Sequence, residues 1–195
     1  MKLTKVVLPI LLLLPLLLSA EILQFTGSSG ESAGGHSIGP YFLLVDGSST
    51  QLVCDDYTHG ITIGQTWNAE KILWGDLPTA DLPVYGAAFW LVGDILNPST
   101  SPHADSQYAL WRLLASAAPL PAGSAGALSW AMGQYAANPG YEGYQSLVIY
   151  RPDPRESGQE MLGLQQVPEP STLVLAGLGL LLLLTPRLRR RDNRG

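Results

Sequence analysis

Apolar residues follow three different patterns along this chain of 195 residues. Two uninterrupted apolar runs lie near the ends, at residues 6–18 and 172–185, whereas the middle shows strand-like and helix-like spacing. The first run follows a start with two lysines and ends at the small residues Ser19-Ala20, as in a secretory signal peptide. It is shorter than the roughly 20 residues of a membrane span. We therefore expect residues 1–20 to be a signal peptide and the remainder to be exported.

Short apolar runs with extended character predict strands in the first third of the chain. Tyr41 to Val45 is aromatic and branched, and the Asp46-Gly47 pair behind it is a turn signal. Leu52 to Tyr57 resumes the extended pattern, so we expect the two runs to pair as a hairpin with Cys54 on a strand or at its end. The Gly/Ser-rich residues 26–37 that precede them predict a flexible lead-in.

The middle of the chain changes to helical spacing. From Val84 to Ile95 apolar residues recur at intervals of three and four, and Asn97-Pro98 ends the pattern. A second helix is expected to begin near residue 105 or 106, where Asp or Ser can cap its amides. A third helix, weakened by glycines, is expected over residues 124–136.

These elements predict an α+β domain over residues 21–150, with strands near both ends and about three helices between them. Gln145 to Tyr150 supplies the last strand-like run. Residues 151–167 are polar and contain prolines, which is typical of a stalk. The sequence thus predicts one small exported domain on a stalk.

The second uninterrupted run, residues 172–185, predicts a membrane helix at the C-terminal end. At about 1.5 Å per residue it is about 21 Å long, and flanking arginines can extend its reach. A cluster of positive charge marks the cytoplasmic side, so the exported domain would lie outside the cytoplasm and be anchored in the inner membrane. The arginines of this tail are Arg187, Arg189, Arg190 and Arg191, followed by Arg194.

The charge balance narrows the range of partners. Residues 21–166 carry fourteen acidic side chains against four basic ones, a net charge of −10, compared with −5 for the whole chain. Such a surface repels nucleic acids and other polyanions, so nucleic-acid binding is excluded. The chain has one cysteine, Cys54, which cannot form an internal disulfide.

The segment from Val167 to Arg191 resembles the PEP-CTERM sorting signal of Gram-negative bacteria. It has the tripeptide Pro168-Glu169-Pro170, a short apolar helix and an arginine cluster, over residues 168–195. The resemblance implies recognition and processing by an exosortase in the inner membrane, followed by display at the cell surface or in an exopolysaccharide-containing biofilm matrix. The alternative is an ordinary single-span anchor whose prolines merely end the stalk.

Two internal motifs resemble the halves of a thioester domain of bacterial surface adhesins. They are LVCDDY at residues 52–57 and SQYALW at residues 106–111. Gln107 and Trp111 match the family's glutamine-containing motif, in which Ser106 here replaces threonine and Leu110 replaces isoleucine. The resemblance implies that the Cys54 sulfur displaces ammonia from the Gln107 amide to form an internal thioester.

A thioester needs residues of these types. Its carbonyl is more electrophilic than that of an amide, so a partner's amine or hydroxyl can open it, and it must be shielded from water until then. Trp111 can provide that shielding, and Asp55 or Asp56 can support the proton transfers. The predicted thioester residues are therefore Cys54 and Gln107, with Asp55 and Trp111 as support.

Other interpretations of these residues remain open. Cys54 can be an inert buried side chain, since cysteine is among the most buried residue types. It can also be a hydrolase nucleophile with a histidine base, although no local cysteine-protease signature is present. The three histidines show no spacing typical of a metal site, and no cofactor is predicted. The histidines are His36, His59 and His103.

The five tryptophans raise a further question, that of carbohydrate binding. Trp90, Trp111 and Trp130 fall on predicted helices and are expected to fill the core. This leaves Trp67 and Trp74 as the loop candidates for stacking against sugars.

We expect a surface-displayed binding or adhesion protein, not an enzyme. It would capture an amine or hydroxyl of a surface protein or an exopolysaccharide through the Cys54–Gln107 thioester. The alternative is a structural or non-covalent matrix protein that is exported in the same way.

Overall fold

A computed structural model describes residues 20–100 and 102–165 of the chain. The predicted signal peptide lies outside these residues except for Ala20, and so do the predicted sorting tripeptide, membrane helix and arginine tail. Within them, the predicted mixture of helices and strands is confirmed, with three helices and a strand-rich barrel.

Eight strands and three helices make up the described part of the chain. The strands are β1 (Glu21–Ser28), β2 (Ser32–Ala33), β3 (His36–Ser37), β4 (Tyr41–Val45), β5 (Ser48–Cys54), β6 (Thr66–Leu73), β7 (Leu147–Pro152) and β8 (Met161–Leu164). The helices are α1 (Leu82–Leu96), α2 (Ala104–Leu114) and α3 (Ala122–Ala137). Six of the strands close into an antiparallel barrel in the order β1-β4-β5-β8-β7-β6, and β2 pairs with β3 as a separate small hairpin.

The predicted hairpin is formed by β4 and β5. Tyr41 pairs with Leu52 and Val45 pairs with Ser48, so the connection is the two-residue turn Asp46-Gly47. Both turn residues have positive φ, 47° and 81°, which is the backbone conformation of the tight turns that suit twisted hairpins. Cys54 is the last residue of β5, as the sequence predicted.

The predicted flexible lead-in at residues 26–37 is wrong. Its first residues belong to β1, in which Leu23 and Phe25 alternate inward, and its last form the β2–β3 hairpin. A register shift between Phe25 and Gly27 marks a bulge in the pairing of β1 with β4. A bulge inserts an extra residue without ending a strand. The glycine at the bulge therefore belongs to an ordered strand and not to a flexible segment.

The barrel presents two apolar faces. The inner face is lined from every barrel strand, and the outer face of β5, β7 and β8 packs against the helices. Alternation along β5 places Leu52 and Cys54 with the inner cluster and Val53 with the outer one. The inner cluster comprises Leu23, Phe25, Tyr41, Leu43, Leu52, Cys54, Trp67, Ala69, Val148, Tyr150 and Met161.

The three helices pack on one another and cover one side of the barrel. Helix α1 buries Leu91, Val92 and Ile95, which contact the outer face of the barrel wall. Helix α3 has few large apolar side chains and buries only Ser124 and Ala131. This helix therefore covers α1 and α2 and adds little to the core.

The predicted stalk at residues 151–167 is wrong over the part that the structure describes. Arg151 and Pro152 complete β7, a short 3₁₀ turn spans Arg155–Ser157, and Met161–Leu164 forms β8. Strand β8 pairs with both β5 and β7, so the barrel closes only after residue 160. Met161 and Leu162 are fully buried. Their burial holds this segment in the barrel, although the residues before them are polar.

Among residues 20–100 and 102–165, none of the helices combines the length and apolar character that crossing a membrane requires.

Candidate functional site

Cys54 and Gln107 lie side by side between the end of β5 and the first turns of α2. Cys54 is 1% exposed and Gln107 is fully buried. The Gln107 side-chain Nε2 donates a hydrogen bond to the Cys54 carbonyl oxygen at 2.7 Å. The two residues are 53 positions apart in the chain, so this contact depends on the docking of α2 against the barrel.

The other end of the Gln107 carboxamide is also held. Its Oε1 accepts a hydrogen bond from the backbone N–H of Gly39 at 3.2 Å. A side chain at position 39 would crowd this oxygen, because a Cβ there would lie 3.1 Å from Gln107 Oε1 and 3.3 Å from Ile95 Cγ2. Glycine at position 39 therefore allows the backbone to approach the carboxamide closely.

Hydrogen bonds on three sides fix the start of α2. His103 packs against Glu31, with its backbone N–H 3.1 Å from Glu31 Oε2. Ser106 donates to Asp94 Oδ2 on α1 at 2.6 Å, and Ser124 on α3 donates to Asp105 at 3.2 Å. These bonds place Gln107, one residue beyond Ser106, in a fixed position against Cys54.

Aromatic rings cover the Cys54 side of the site. Trp111 is 2% exposed, and its indole Nε1 makes no regular hydrogen bond within the described residues. The rings of His36 and Tyr57 pack over Trp111 at centroid distances of 5.8 and 5.3 Å. Trp111 therefore lies buried beneath two other rings, and its supporting role stays a prediction.

Burial raises the pKa of the Cys54 thiol well above its usual value, and the charge of Asp55 adds to this effect. A hydrogen bond with the Asp56 backbone and, to a smaller extent, the neighbouring Trp111 side chain act in the opposite direction. The thiol donates to the Asp56 carbonyl oxygen at 3.2 Å. The thiol therefore keeps its proton at neutral pH.

Asp55, the other predicted supporting residue, forms a carboxyl pair with Glu160 on the strand-β8 side of Cys54. Burial, and then the charge of Glu160 and a hydrogen bond to it, raise the pKa of Asp55 well above its usual value. Glu160 also accepts hydrogen bonds from Tyr85 at 2.9 Å and from Arg151 at 3.0 Å. The pair therefore holds a proton next to the cysteine.

Asp56 has the opposite character. Burial alone would raise its pKa, but hydrogen bonds from Thr58 and His59 lower it below its usual value. Its Oδ2 lies 2.5 Å from His59 Nδ1. The two neighbouring aspartates, which the sequence could not distinguish, therefore differ in character: the pKa of Asp55 is raised and the pKa of Asp56 is lowered.

A cavity of about 180 Å³ lies beside the cysteine. Its wall includes Tyr41, Asp56 and Trp111, each of which interacts with Cys54, together with His36 and His59. Cys54 and Gln107 are not among the residues that line it, but Trp111, which lies next to Cys54, is one of them.

None of the three histidines hydrogen-bonds to the Cys54 thiol within the described part of the chain. His59 pairs with Asp56, His103 with Glu31, and His36 packs on Tyr57 with ring centroids 4.8 Å apart. A search of residues 20–100 and 102–165 for groups of three potential metal-ligating side chains finds none.

The predicted division of the tryptophans is partly wrong. Trp67 and Trp74, expected on loops, are only 4% and 9% exposed, because Trp67 lies on β6 facing the barrel interior and Trp74 stacks on Tyr144. Trp111 is buried as expected, whereas Trp130 is 44% exposed on α3. The sequence could not show this, because α3 has too few apolar residues to define a buried face.

Comparison with known proteins adds two findings. Residues 166–191 match the model of the PEP-CTERM protein-sorting motif. The motif implies a secreted, membrane-anchored precursor that an exosortase processes for the cell surface. The structure is similar to the N-terminal thioester domain of a surface protein from Clostridium perfringens, with a TM-score of 0.46 and 13% identity over 75% of this chain and 99% of that one. No curated protein matches the chain in sequence.

Several residues of the site were not found from the sequence. Gly39 reaches it from the β3–β4 connection, Tyr41 from the first position of β4, and Glu160 from the position just before β8. The Gly39-Pro40 pair in front of an aromatic strand was a visible turn signal, but nothing in its spacing indicated Gln107 as its partner.

Proposed function

We propose that this surface protein captures its partner covalently, through a thioester between Cys54 and Gln107. Exosortase-dependent sorting to the cell surface follows from the PEP-CTERM motif. The covalent step rests on the geometry of the buried pair. Each protein molecule would react once and stay attached, so the function is adhesion and not enzymatic turnover.

The observation that carries this proposal is the way the Gln107 carboxamide is held. Its nitrogen donates to the Cys54 carbonyl and its oxygen accepts from Gly39, in a site with no exposed Gln107 surface. A purely structural glutamine needs only its hydrogen bonds satisfied. Here the carboxamide is held at the one thiol of the chain.

The reaction that forms the thioester is balanced by the loss of ammonia. The Cys54 sulfur attacks the Gln107 side-chain carbonyl carbon, a C–S bond forms, the C–N bond breaks, and the thiol proton leaves on the nitrogen as ammonia. Negative charge develops on Oε1, where the Gly39 N–H already donates, and a preorganised donor at that position stabilises such an intermediate.

Trp111 and Asp55 support the reaction in different ways. The Trp111 side chain lowers the pKa of the thiol, and its buried ring would keep water from the thioester. A negative charge on Asp55 opposes ionisation of the thiol, and burial beside Glu160 raises the pKa of Asp55, which reduces this opposition. A partner amine or hydroxyl would then attack the carbonyl, form an amide or ester with Gln107 and release Cys54 as a thiol.

The mass of the intact protein tests this proposal. We expect the wild type to be lighter than its sequence by one ammonia and to gain one methylamine at Gln107 when treated with that amine. Cys54→Ala should have the full sequence mass and take up no methylamine. Gln107→Glu is the matched control at the other residue of the thioester. It has no side-chain amide to lose, so it should also have its full sequence mass.

A wild-type protein with the full sequence mass, and a Cys54 thiol that reacts after unfolding, would refute covalent capture. The sorting signal would be unaffected by that result. The function would then be that of a structural or non-covalent surface protein.

A further inference from the structure

A second surface feature lies away from Cys54 and Gln107, where α1, α3 and the 3₁₀ turn at Glu142–Ser146 meet. Trp130 and Tyr141 are 44% and 48% exposed there, and Phe89 and Trp90 lie beneath them, partly buried. We call these four residues the aromatic patch. Large aromatic side chains are usually buried, so an exposed cluster of them indicates an interaction surface.

The rings of the patch are fixed relative to one another. Trp90 stacks on Tyr141 with a centroid distance of 5.5 Å and an interplanar angle of 22°. Trp130 meets Trp90 edge-on at 6.3 Å and 74°, so the rings form a corner. The Trp90 indole N–H donates to the Tyr144 hydroxyl at 3.2 Å, which holds the ring at the centre of the corner. A ligand would therefore meet a preformed surface.

Polar side chains complete the patch. Asp94 and Asn97 join the aromatic rings in lining an open cleft of about 330 Å³. Asn97 is exposed, and its Oδ1 accepts the N–H of Ser99, which leaves its amide NH₂ without a partner among the described residues. Asp94 uses Oδ2 to accept from Ser106. Carboxylate oxygens and an amide group at the edge of aromatic rings suit a ligand that is apolar on one face and hydroxylated at its rim.

We propose that the aromatic patch binds a neutral polysaccharide. The C–H face of a pyranose ring would stack on Trp130 or Tyr141, and its hydroxyl groups would hydrogen-bond to Asp94 and Asn97. None of the described residues that line the cleft is a lysine or arginine, and the domain around it carries a net charge of −10. An anionic polymer would therefore be repelled, which restricts the ligand to uncharged sugars.

The aromatic patch is chemically separate from the proposed thioester, although Asp94 also accepts the Ser106 hydrogen bond that helps to position Gln107. It shares no side chain with the Cys54–Gln107 pair, and stacking and hydrogen bonding need no covalent step.

Affinity electrophoresis of the full-length chain tests the proposal, in a detergent without a sugar headgroup. The gels contain dextran, hydroxyethylcellulose or galactomannan as neutral probes and alginate as the anionic probe. We expect at least one neutral polysaccharide to retard the protein and alginate not to. Trp130→Ala and Tyr141→Ala should each weaken the binding about tenfold, because an aromatic contact is lost. Trp130→Phe should retain part of the affinity.

Met132→Ala is the matched control, because Met132 lies on the same helix and is 54% exposed but outside the patch. It should bind as the wild type does, and Cys54→Ala should also bind normally. The proposal is refuted if no neutral probe retards the wild type, if alginate retards it equally, or if Met132→Ala lowers the affinity as much as Trp130→Ala. A change of oligomeric state in Trp130→Ala, without polysaccharide binding by the wild type, would instead identify the patch as a contact between copies of this chain.

Discussion

Gln107 shows how a single position in this protein combines structure with chemistry. Glutamine is rarely fully buried, yet here both polar ends of its side chain have partners, and one of these partners is the backbone of Cys54. Loss of either partner would leave a buried polar group unsatisfied, at a cost of about 1–3 kcal/mol. The geometry that stabilises the unreacted side chain is thus the geometry that presents it to the thiol.

Gly39→Ala should disturb this geometry selectively. The added methyl group would lie within 3.1 Å of Gln107 Oε1 and push it away from the Gly39 N–H. We expect intact-mass measurement to show that a smaller fraction of the molecules has lost ammonia. The free energy of unfolding should also fall by about 1 kcal/mol. Gly60→Ala, where a methyl group meets nothing within 4 Å, is the control. Equal ammonia loss in both variants would contradict the proposed role of Gly39.

Asp55 makes the stability depend on pH. Its pKa is raised in the folded protein, so between its usual value of 3.8 and that raised value the native state keeps a proton that the unfolded chain has released. The free energy of unfolding should therefore fall as pH rises through this window. Urea unfolding between pH 4 and 7 should show a smaller fall for Asp55→Asn than for the wild type. The exposed Asp153→Asn should keep the wild-type slope, and an unchanged slope in Asp55→Asn would contradict this account.

The candidate pair Cys54 and Gln107 could be proposed from the sequence, but the residues around it could not. Cys54 and Gln107 were found because each lies in a short motif of its own, and the structure places them in contact. Gly39 and Glu160 come from segments 68 positions before Gln107 and 106 positions after Cys54. Contacts at such separations depend on how the barrel closes, which local spacing does not encode.

At the scale of elements, the packing of α1 against α3 depends on one small residue. A methyl group at Gly86 on α1 would overlap the ring of Tyr135 on α3, at ring atoms close to its attachment point. Gly86→Ala should therefore destabilise the protein by about 1–3 kcal/mol despite the better helix propensity of alanine.

Gly133→Ala on α3 is the matched test of that reasoning. A methyl group there has open space around it, so the variant should be more stable by up to about 1 kcal/mol. Urea denaturation of both variants measures the difference. If the two substitutions shift the midpoint in the same direction, helix propensity and not the α1–α3 contact decides the outcome.

The sequence predicted the helices better than the strands. The three helices lie within a few residues of their predicted bounds. Their apolar residues recur at helical spacing, and capping or helix-ending residues lie where that spacing stops. Strand β6 was missed although Trp67 and Ala69 alternate inward, because Glu70 and Lys71 interrupt the apolar pattern. Strand β8 is only four residues long and gains its burial from two neighbours, so no local signal distinguished it from a stalk.

At the scale of the whole molecule, β8 decides where the folded domain ends. A chain of residues 21–157 would lack β8 and leave β5 and β7 with unpaired edges and the barrel interior open. We expect it to be degraded rapidly in limited proteolysis, whereas residues 21–165 should resist. Equal resistance of the two chains would show that residues 158–165 are dispensable.

The sorting signal gives a prediction for the cell. Replacing Pro168, Glu169 and Pro170 by alanine should block processing, because the tripeptide is the recognised part of the PEP-CTERM motif that matches at residues 166–191. Mass spectrometry of the protein from a host with an exosortase should detect the arginine tail on the variant and not on the wild type. A tail retained on both would contradict exosortase processing.

The pairing of β8 also has a mechanical consequence. A tether that continues beyond residue 165 joins the domain through a strand that is hydrogen-bonded on both edges, to β5 and to β7. Tension on the tether is therefore shared by two ladders of hydrogen bonds. Cys54 is paired directly with Met161 at the start of β8, so a load applied through the tether would pass next to the proposed thioester. Under the proposed function, drag on an attached cell in flowing water would be transmitted through the strand beside that bond.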